Sequence, residues 1–86
     1  MPRYLIERRF AEKVELDKAG AASIKRINDE EGVKWIFSFL SADKMRTYCL
    51  YEAVSAEAIR AAAQRNNLPA DAIIEIDSEI RPDMFA

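Results

Sequence analysis

The sequence contains no histidine and only one cysteine, Cys49, among its 86 residues. Without histidine, no imidazole can act as a general base, as the partner of a nucleophile or as a metal ligand. A single cysteine cannot form a disulfide within the chain, and this usage is typical of the reducing cytoplasm. The two absences exclude histidine-based catalysis and any internal disulfide framework.

The chain also lacks long apolar stretches and an excess of positive charge. No segment approaches the roughly 20 apolar residues that span a bilayer, and residues 1–10 lack the apolar region of a secretory signal peptide. The formal net charge is -2, so no broad positive surface attracts nucleic acid or an anionic membrane. We therefore expect a cytoplasmic protein that binds neither nucleic acid nor a membrane.

The composition is that of a folded globular chain. Half of the residues are hydrophobic (50%), a third are charged (33%), and there are only two glycines and three prolines. This balance excludes a disordered or fibrous protein, and the length allows one hydrophobic core. We predict a single domain that spans residues 1–86.

Four segments have the composition of β-strands, and two have that of helices. The predicted strands are residues 3–10, 33–40, 46–52 and 72–77. The middle two should form a hairpin in which Phe39 faces Tyr48, Phe37 faces Leu50 and Trp35 faces Glu52.

The predicted helices begin after the candidate N-caps Asp17 and Ser55. The first covers residues 18–31 and ends at Gly32, which suits a left-handed C-terminal position. The second should end near residues 66 and 67. Their expected inward stripes consist of small and apolar residues: Ala19, Ala22, Ser23 and Ile27 in the first helix, and Ala58, Ile59, Ala62 and Ala63 in the second.

The order βαββαβ predicts an α+β, ferredoxin-like sandwich with a four-stranded antiparallel sheet and two helices on one face. The other face of the sheet is then uncovered. It should carry Trp35, Phe37 and Phe39 or their neighbours of opposite parity. A homodimer that packs sheet against sheet is the simplest way to cover such a face, so we expect self-association.

Residues 32–63, GVKWIFSFLSADKMRTYCLYEAVSAEAIRAAA, resemble the centre of a family of small nickel-binding, ferredoxin-like proteins long catalogued as a domain of unknown function. The opening PRYLIER and the segment Asn67-Leu68-Pro69 are similar too. The resemblance implies the same fold and a divalent metal such as nickel as a cofactor. Family members usually carry a histidine in a pattern like G-V-x-W-V-H-S-Y, and Phe37 takes that place here. Phenylalanine offers no donor atom.

The candidate ligand-binding residues are Glu7, Trp35, Phe37, Phe39 and Glu52, and the candidate metal ligands are the carboxylates Glu7 and Glu52. Each has a simpler interpretation: Glu7 as the partner of a basic residue, Glu52 as a solvated strand end, and the aromatic residues as core or dimer packing. Cys49 is a third matching donor, but burial in the core is favoured for it because free cysteine is among the most buried residue types.

Several functions remain open at this point. The first is a metal-handling or metal-responsive protein. The second is a dimeric small-molecule-binding protein or enzyme with an apolar pocket on the open sheet face, and a plain assembly role is as plausible as the enzyme. An RNA-recognition domain shares the βαββαβ order, but the acidic charge balance and the missing aromatic RNA-binding signature disfavour it.

Overall fold

The six predicted elements are all present, in the predicted order. In the computed structural model, which describes residues 1–85, they are β1 (Arg3–Arg9), α1 (Lys18–Glu30), β2 (Lys34–Leu40), β3 (Arg46–Glu52), α2 (Ala56–Arg65) and β4 (Ala72–Ile76). A short 3-10 helix, Pro82–Phe85, follows in the C-terminal tail. The alternation of apolar and polar residues in the strands and the capping residues of the helices were therefore sufficient to locate the elements.

The four strands form one antiparallel sheet in the order β2-β3-β1-β4. The two inner strands are β1 and β3, and the hairpin strand β2 and the last strand β4 are the edges. This is the ferredoxin-like α+β arrangement that the sequence predicted, with the two helices packed beside each other.

The helix ends match the predicted capping residues. Asp17 Oδ1 accepts a hydrogen bond from the Gly20 backbone N–H at 2.7 Å, and Ser55 Oγ accepts one from the Ala58 N–H at 3.2 Å. Gly32 adopts a φ of 70° immediately after α1, a left-handed conformation that a residue with a Cβ rarely adopts. Local sequence therefore determines where both helices begin and where α1 ends.

The predicted inward stripe of α1 was partly wrong. Ala19, Ala22 and Ser23 are exposed, whereas Ile27 faces inward as predicted. The other residues that face inward are Gly20, Ala21, Ile24 and Asn28. The two isoleucines bury much more apolar area than alanine or serine can, so they decide the rotation of the helix. The predicted stripe of α2 was correct, since Ile59, Ala62 and Ala63 are buried.

The core lies between the sheet and the helices, mainly under α2. Ile6 of β1 and Ile59 of α2 are the largest fully buried side chains, and Tyr4, Cys49 and Tyr51 pack around them. In α1, by contrast, only Asn28 is buried. The α1 side of the sandwich is therefore packed less closely than the α2 side.

A β-bulge in β2 corrects the predicted hairpin register. Phe37 pairs with Leu50 and Phe39 with Tyr48 as expected, but Trp35 pairs with Tyr51 and not with Glu52. The irregularity lies between Trp35 and Phe37, where one additional residue enters the strand. Side chains alternate between faces with a period of two, so one extra residue moves Trp35 to the helix side of the sheet. The expectation that Trp35, Phe37 and Phe39 share the uncovered face was therefore wrong.

Candidate functional site

The uncovered face of the sheet carries an apolar band across all four strands. Cα pairing aligns Phe37 with Leu50, Leu50 with Leu5, and Leu5 with Ile74 in one row. Phe39 lies in the adjacent row, 65% exposed, and its ring contacts that of Phe37 edge-on with the ring centroids 5.3 Å apart. We call this surface the open face.

Glu7 and Glu52 also lie on the open face, but in different rows. Glu7 pairs across the sheet with Tyr48 and Ala72, whereas Glu52 lies opposite Arg3. Four residues of β1 separate those rows, a distance of about 13 Å along the strand. One chain therefore does not bring the two predicted metal ligands together.

Each of these carboxylates has basic neighbours on the same face. Glu7 Oε2 accepts a hydrogen bond from Arg9 Nε at 2.7 Å. Glu52 lies between Lys34 and Arg3 in its row of the sheet. The contact with Arg9 matches the simpler interpretation of Glu7 as the partner of a basic residue.

The donor atoms of one chain do not fit a nickel site. Across residues 1–85, no group of three or more His, Cys, Asp or Glu side chains is close enough to hold a metal ion. The sequence has no histidine, and Phe37 projects from the open face without a donor atom. Nickel favours imidazole over carboxylates alone, and residues 1–85 provide neither an imidazole nor a cluster of donor side chains.

A cleft of about 630 Å³ opens on the opposite side of the sheet, beneath the loop between β1 and α1. Its floor consists of sheet residues that point toward the helices, among them Arg8, Trp35, Cys49 and Tyr51. Its walls come from the loop, from Ile24 of α1 and from Leu68 after α2. The cleft exists where α1 is packed less closely than α2.

Two backbone hydrogen bonds hold the loop over the cleft. Phe10 N–H donates to the Met45 carbonyl and Val14 N–H donates to the Lys44 carbonyl, each at 2.8 Å. Both acceptors belong to the turn between β2 and β3. Lys44 has a φ of 64° in this turn. The hairpin turn therefore fixes the outer wall of the cleft.

The aromatic residue Trp35 lies on the floor of the cleft and packs against the core. Its indole Nε1–H donates to Ser38 Oγ at 2.8 Å, and Ser38 lines the same cleft. The bulge that moved Trp35 off the open face thus supplies the cleft with an oriented aromatic ring.

Arg8 is the buried charge of the cleft, with only 3% of its surface exposed. Its Nη1 donates to the Pro69 carbonyl at 2.6 Å, and its Cζ lies 5.6 Å from the centroid of the Tyr51 ring. No carboxylate in residues 1–85 lies within ion-pair distance of Arg8, although Arg9, Arg65 and Arg81 all have such partners.

Tyr51 and Cys49 complete the buried floor. Burial raises the pKa of Tyr51, and the positive charge of the neighbouring Arg8 partly opposes this rise. Cys49 is a free, buried thiol whose Sγ lies 3.5 Å from Thr47 Oγ1. The expected burial of Cys49 in the core is confirmed.

Of the candidate ligand-binding residues, Trp35 alone lines the cleft; Cys49, which was expected in the core, lies on its floor, and Arg8 was missed. A signal was present, because Arg8 shares the parity of Tyr4 and Ile6, which point toward the helices. Regular alternation would have placed a charge on the covered side of the sheet. Asn28 was missed as well: it is buried, and its Oδ1 accepts a hydrogen bond from Asn66 Nδ2 at 3.2 Å.

The fold and the two faces define a small ferredoxin-like α+β protein. A family model described as nickel responsive protein SCO4226-like matches residues 4–76. This chain belongs to that family, as the sequence resemblance predicted. Along residues 1–85, no helix is long and apolar enough to cross a membrane.

Among solved structures, the chain is similar to SCO4226 from Streptomyces coelicolor A3(2). The TM-score is 0.77 at 21% sequence identity, and the match covers 91% of this chain and 99% of the other. No curated protein matches the chain significantly. The structural match supports the fold at this level of identity.

Proposed function

We propose that this member of the nickel-responsive family is a small-molecule-binding protein whose binding site is the cleft beneath the loop between β1 and α1. The observation that carries the proposal is the cleft itself, with a volume of about 630 Å³. Ligand pockets typically measure roughly 300–1,000 Å³ and combine apolar walls with a few polar groups. Arg8, Ser38 and Thr47 are such groups among the aromatic and aliphatic side chains of this cleft.

A cleft-filling substitution tests this proposal. Leu40 lines the cleft, and the adjacent Phe39 projects from the opposite face of the sheet. We expect octanoate or octanamide to give saturable binding heat with the wild-type protein, and Leu40→Trp to reduce that heat strongly because the larger ring occupies the site. Phe39→Trp is the matched control and should bind as the wild type does. If calorimetry detects neither compound at millimolar concentration, the cleft is not a site for small amphiphiles.

The homodimer remains part of the proposal, with the open face as its interface. Phe37, Phe39 and Ile74 are 46%, 65% and 57% exposed on this face, and a sheet of this size offers roughly 440 Å² of flat area per partner. Stable interfaces bury about 600 Å² or more per partner, so flanking side chains must contribute. Basic and acidic residues alternate along one end row of the face, Lys34, Glu52 and Arg3, which suits a second copy of the same surface.

A charge placed in the apolar band should dissociate the dimer. We expect Phe39→Glu to be monomeric in sedimentation velocity at concentrations where the wild type is dimeric, because two carboxylates would be buried against apolar side chains. Gln64→Glu adds the same charge on α2, where residue 64 is exposed, and should leave the association unchanged. A wild type that sediments as a monomer at high micromolar concentration would remove the dimer from the proposal.

Metal binding between two chains is a second candidate function. One observation favours it: Glu7 and Glu52 both lie on the open face, and a two-fold dimer can place Glu7 of one copy over Glu52 of the other. Carboxylates alone favour hard ions over nickel. The site would therefore bind nickel weakly unless another ligand joined it.

Restoring an imidazole tests the metal site. Phe37 projects from the open face beside Leu50, one row from Glu52. We expect Phe37→His to raise the affinity for Ni²⁺ at least tenfold, about 1.4 kcal/mol, in a calorimetric titration. An equal change for Phe39→His would show that the effect is not specific to position 37. No heat in either variant would end the metal candidate.

We also propose a cytoplasmic location, which the single free thiol supports.

A further inference from the structure

The buried guanidinium of Arg8 distinguishes the cleft from an ordinary apolar groove. Arg8 lines the cleft, is only 3% exposed, and donates a hydrogen bond to the Pro69 backbone carbonyl. An arginine side chain has five N–H donors. One of them donates to the Pro69 carbonyl at 2.6 Å, and Arg8 also forms a side-chain hydrogen bond with the Tyr51 hydroxyl, so further N–H donors are left for a ligand.

An arginine in this position is unfavourable without a negative partner. A buried charge retains little solvation, and proteins normally pair it with an opposite charge. The Tyr51 ring supplies a cation–π contact with its centroid 5.6 Å from Cζ, but this contact carries no negative charge. Three arginines with acidic partners, Arg9, Arg65 and Arg81, are exposed, whereas the buried Arg8 has no such partner among residues 1–85.

The rest of the cleft determines what kind of anion fits. Phe10, Trp35 and Leu40 give it aromatic and aliphatic walls, which favour an apolar body over a small inorganic ion such as phosphate. Glu12, Lys13 and Glu15 lie in the exposed loop and line the cleft as well. The two glutamate carboxylates outnumber the single lysine ammonium, so this loop repels a ligand with several negative charges. A single anionic group must therefore reach past the loop to the floor.

We propose that the cleft binds an amphipathic organic acid, with its carboxylate on the guanidinium of Arg8 and its apolar body against Phe10, Trp35 and Leu40. The planar guanidinium binds a carboxylate through two parallel hydrogen bonds. This inference rests on the proposed function of the cleft and adds the chemical class of its ligand.

A matched pair of ligands tests the inference on the intact protein. Octanoate and octanamide have the same alkyl chain and similar head-group shape, but the amide is neutral and carries an NH2 group in place of one carboxylate oxygen. We expect the wild type to bind octanoate at least tenfold more tightly than octanamide by calorimetry at fixed ionic strength. Trp35 is the single tryptophan of the sequence and lines the cleft, so its emission should change on saturation with either compound.

Adjacent arginines on opposite faces provide the variant and its control. Arg8→Met removes the charge in the cleft, whereas Arg9→Met removes the same charge from the open face one residue away. We expect the preference for octanoate to disappear in Arg8→Met and to persist in Arg9→Met. A preference that survives Arg8→Met would overturn the inference, because the carboxylate would then be bound elsewhere.

The remaining outcomes separate the inference from the proposal on which it rests. Equal binding of both ligands by the wild type would leave the cleft as a binding site and would refute the preference for an acid. Binding of neither would refute both. If Arg8→Met does not fold, NMR of the arginine side-chain Nε–H signals in the wild type decides the question: octanoate should shift the Arg8 signal much more than octanamide does, and equal shifts would contradict the inference.

Discussion

The two faces of the β-sheet are built from the same strands but have different neighbours. Leu5 and Ile6 are adjacent in β1, yet Leu5 is 37% exposed on the open face and Ile6 is 0% exposed beneath the helices. Both are large aliphatic residues. The difference shows that alternation within a strand assigns each residue to a face, and that the elements packed on that face decide how much it contributes to folding.

The aromatic residues of β2 show the same contrast at a finer scale. Phe37 and Phe39 lie on the open face, whereas Trp35 lies in the cleft because of the bulge near Ile36. A single additional residue therefore divides one aromatic strand between two surfaces. The open face gains an apolar band for association, and the cleft gains a ring for ligand contact.

The largest effect should come from truncating each of the two adjacent residues in β1. We expect Ile6→Ala to lower the free energy of unfolding by about 3 kcal/mol, because a fully buried isoleucine leaves a cavity. Leu5→Ala should cost less than about 1 kcal/mol at low micromolar protein concentration. Urea denaturation followed by circular dichroism measures both.

The same two variants at high protein concentration test whether Leu5 lies in a dimer interface. If the open face forms the dimer interface, the effect of Leu5→Ala should grow with concentration, because association stabilises the folded state by mass action. The effect of Ile6→Ala should remain large throughout. Equal losses for the two variants in the monomer would contradict the assignment of Leu5 and Ile6 to differently packed faces.

A smaller effect is expected for the hydrogen bond that orients the ring in the cleft. In the wild type, the Trp35 indole N–H donates to Ser38 Oγ at 2.8 Å, and Ser38→Ala removes this acceptor. We expect a loss of about 1 kcal/mol and a red shift of the tryptophan emission as water replaces the serine oxygen. The control Ser23→Ala lies on the exposed side of α1 and should change neither quantity. An unshifted emission spectrum in Ser38→Ala would argue against this contact.

The smallest effect concerns the pH dependence of stability. Burial raises the pKa of Tyr51 above its ordinary value of 10.0, with Arg8 opposing the rise. The folded state therefore retains the phenol proton more strongly than the unfolded chain does. This contribution is fully present below pH about 10 and is lost as the pH rises through the folded value.

We therefore expect Tyr51→Phe to reduce the alkaline loss of stability, by roughly a few tenths of a kcal/mol per pH unit. Urea denaturation at several pH values between 9 and 11 would measure the two slopes. A variant whose stability declines with pH as steeply as that of the wild type would contradict the raised pKa of Tyr51.

The fold was predictable because its signals are local. Asp17 and Ser55 cap helices through side-chain oxygens only three residues from their donors, and the strands alternate in a regular way. The helix stripe of α1 and the position of Trp35 were not predictable in the same way. Ala19 and Ile24 compete for the inner face of α1, and the bulge in β2 is invisible in an apolar run without a glycine.

The candidate site was predicted less well, for a related reason. Glu7 and Glu52 were correctly expected to be strand residues with candidate donor atoms, but their separation depends on the pairing of β1 with β3. Arg8 was overlooked because its charge suggested a surface position. Its burial depends on Pro69, Tyr51 and the loop above it.

By itself, the sequence determined the order and ends of the helices and strands, the absence of imidazole chemistry and the membership of the family. These properties follow from interactions within a few residues or from composition alone. The tertiary structure alone decided that the aromatic strand is divided between two faces, that α1 leaves a cleft, and that Arg8 lies within it with no carboxylate partner among residues 1–85. These features depend on strand register and helix packing, which bring together residues as far apart as Arg8 and Pro69.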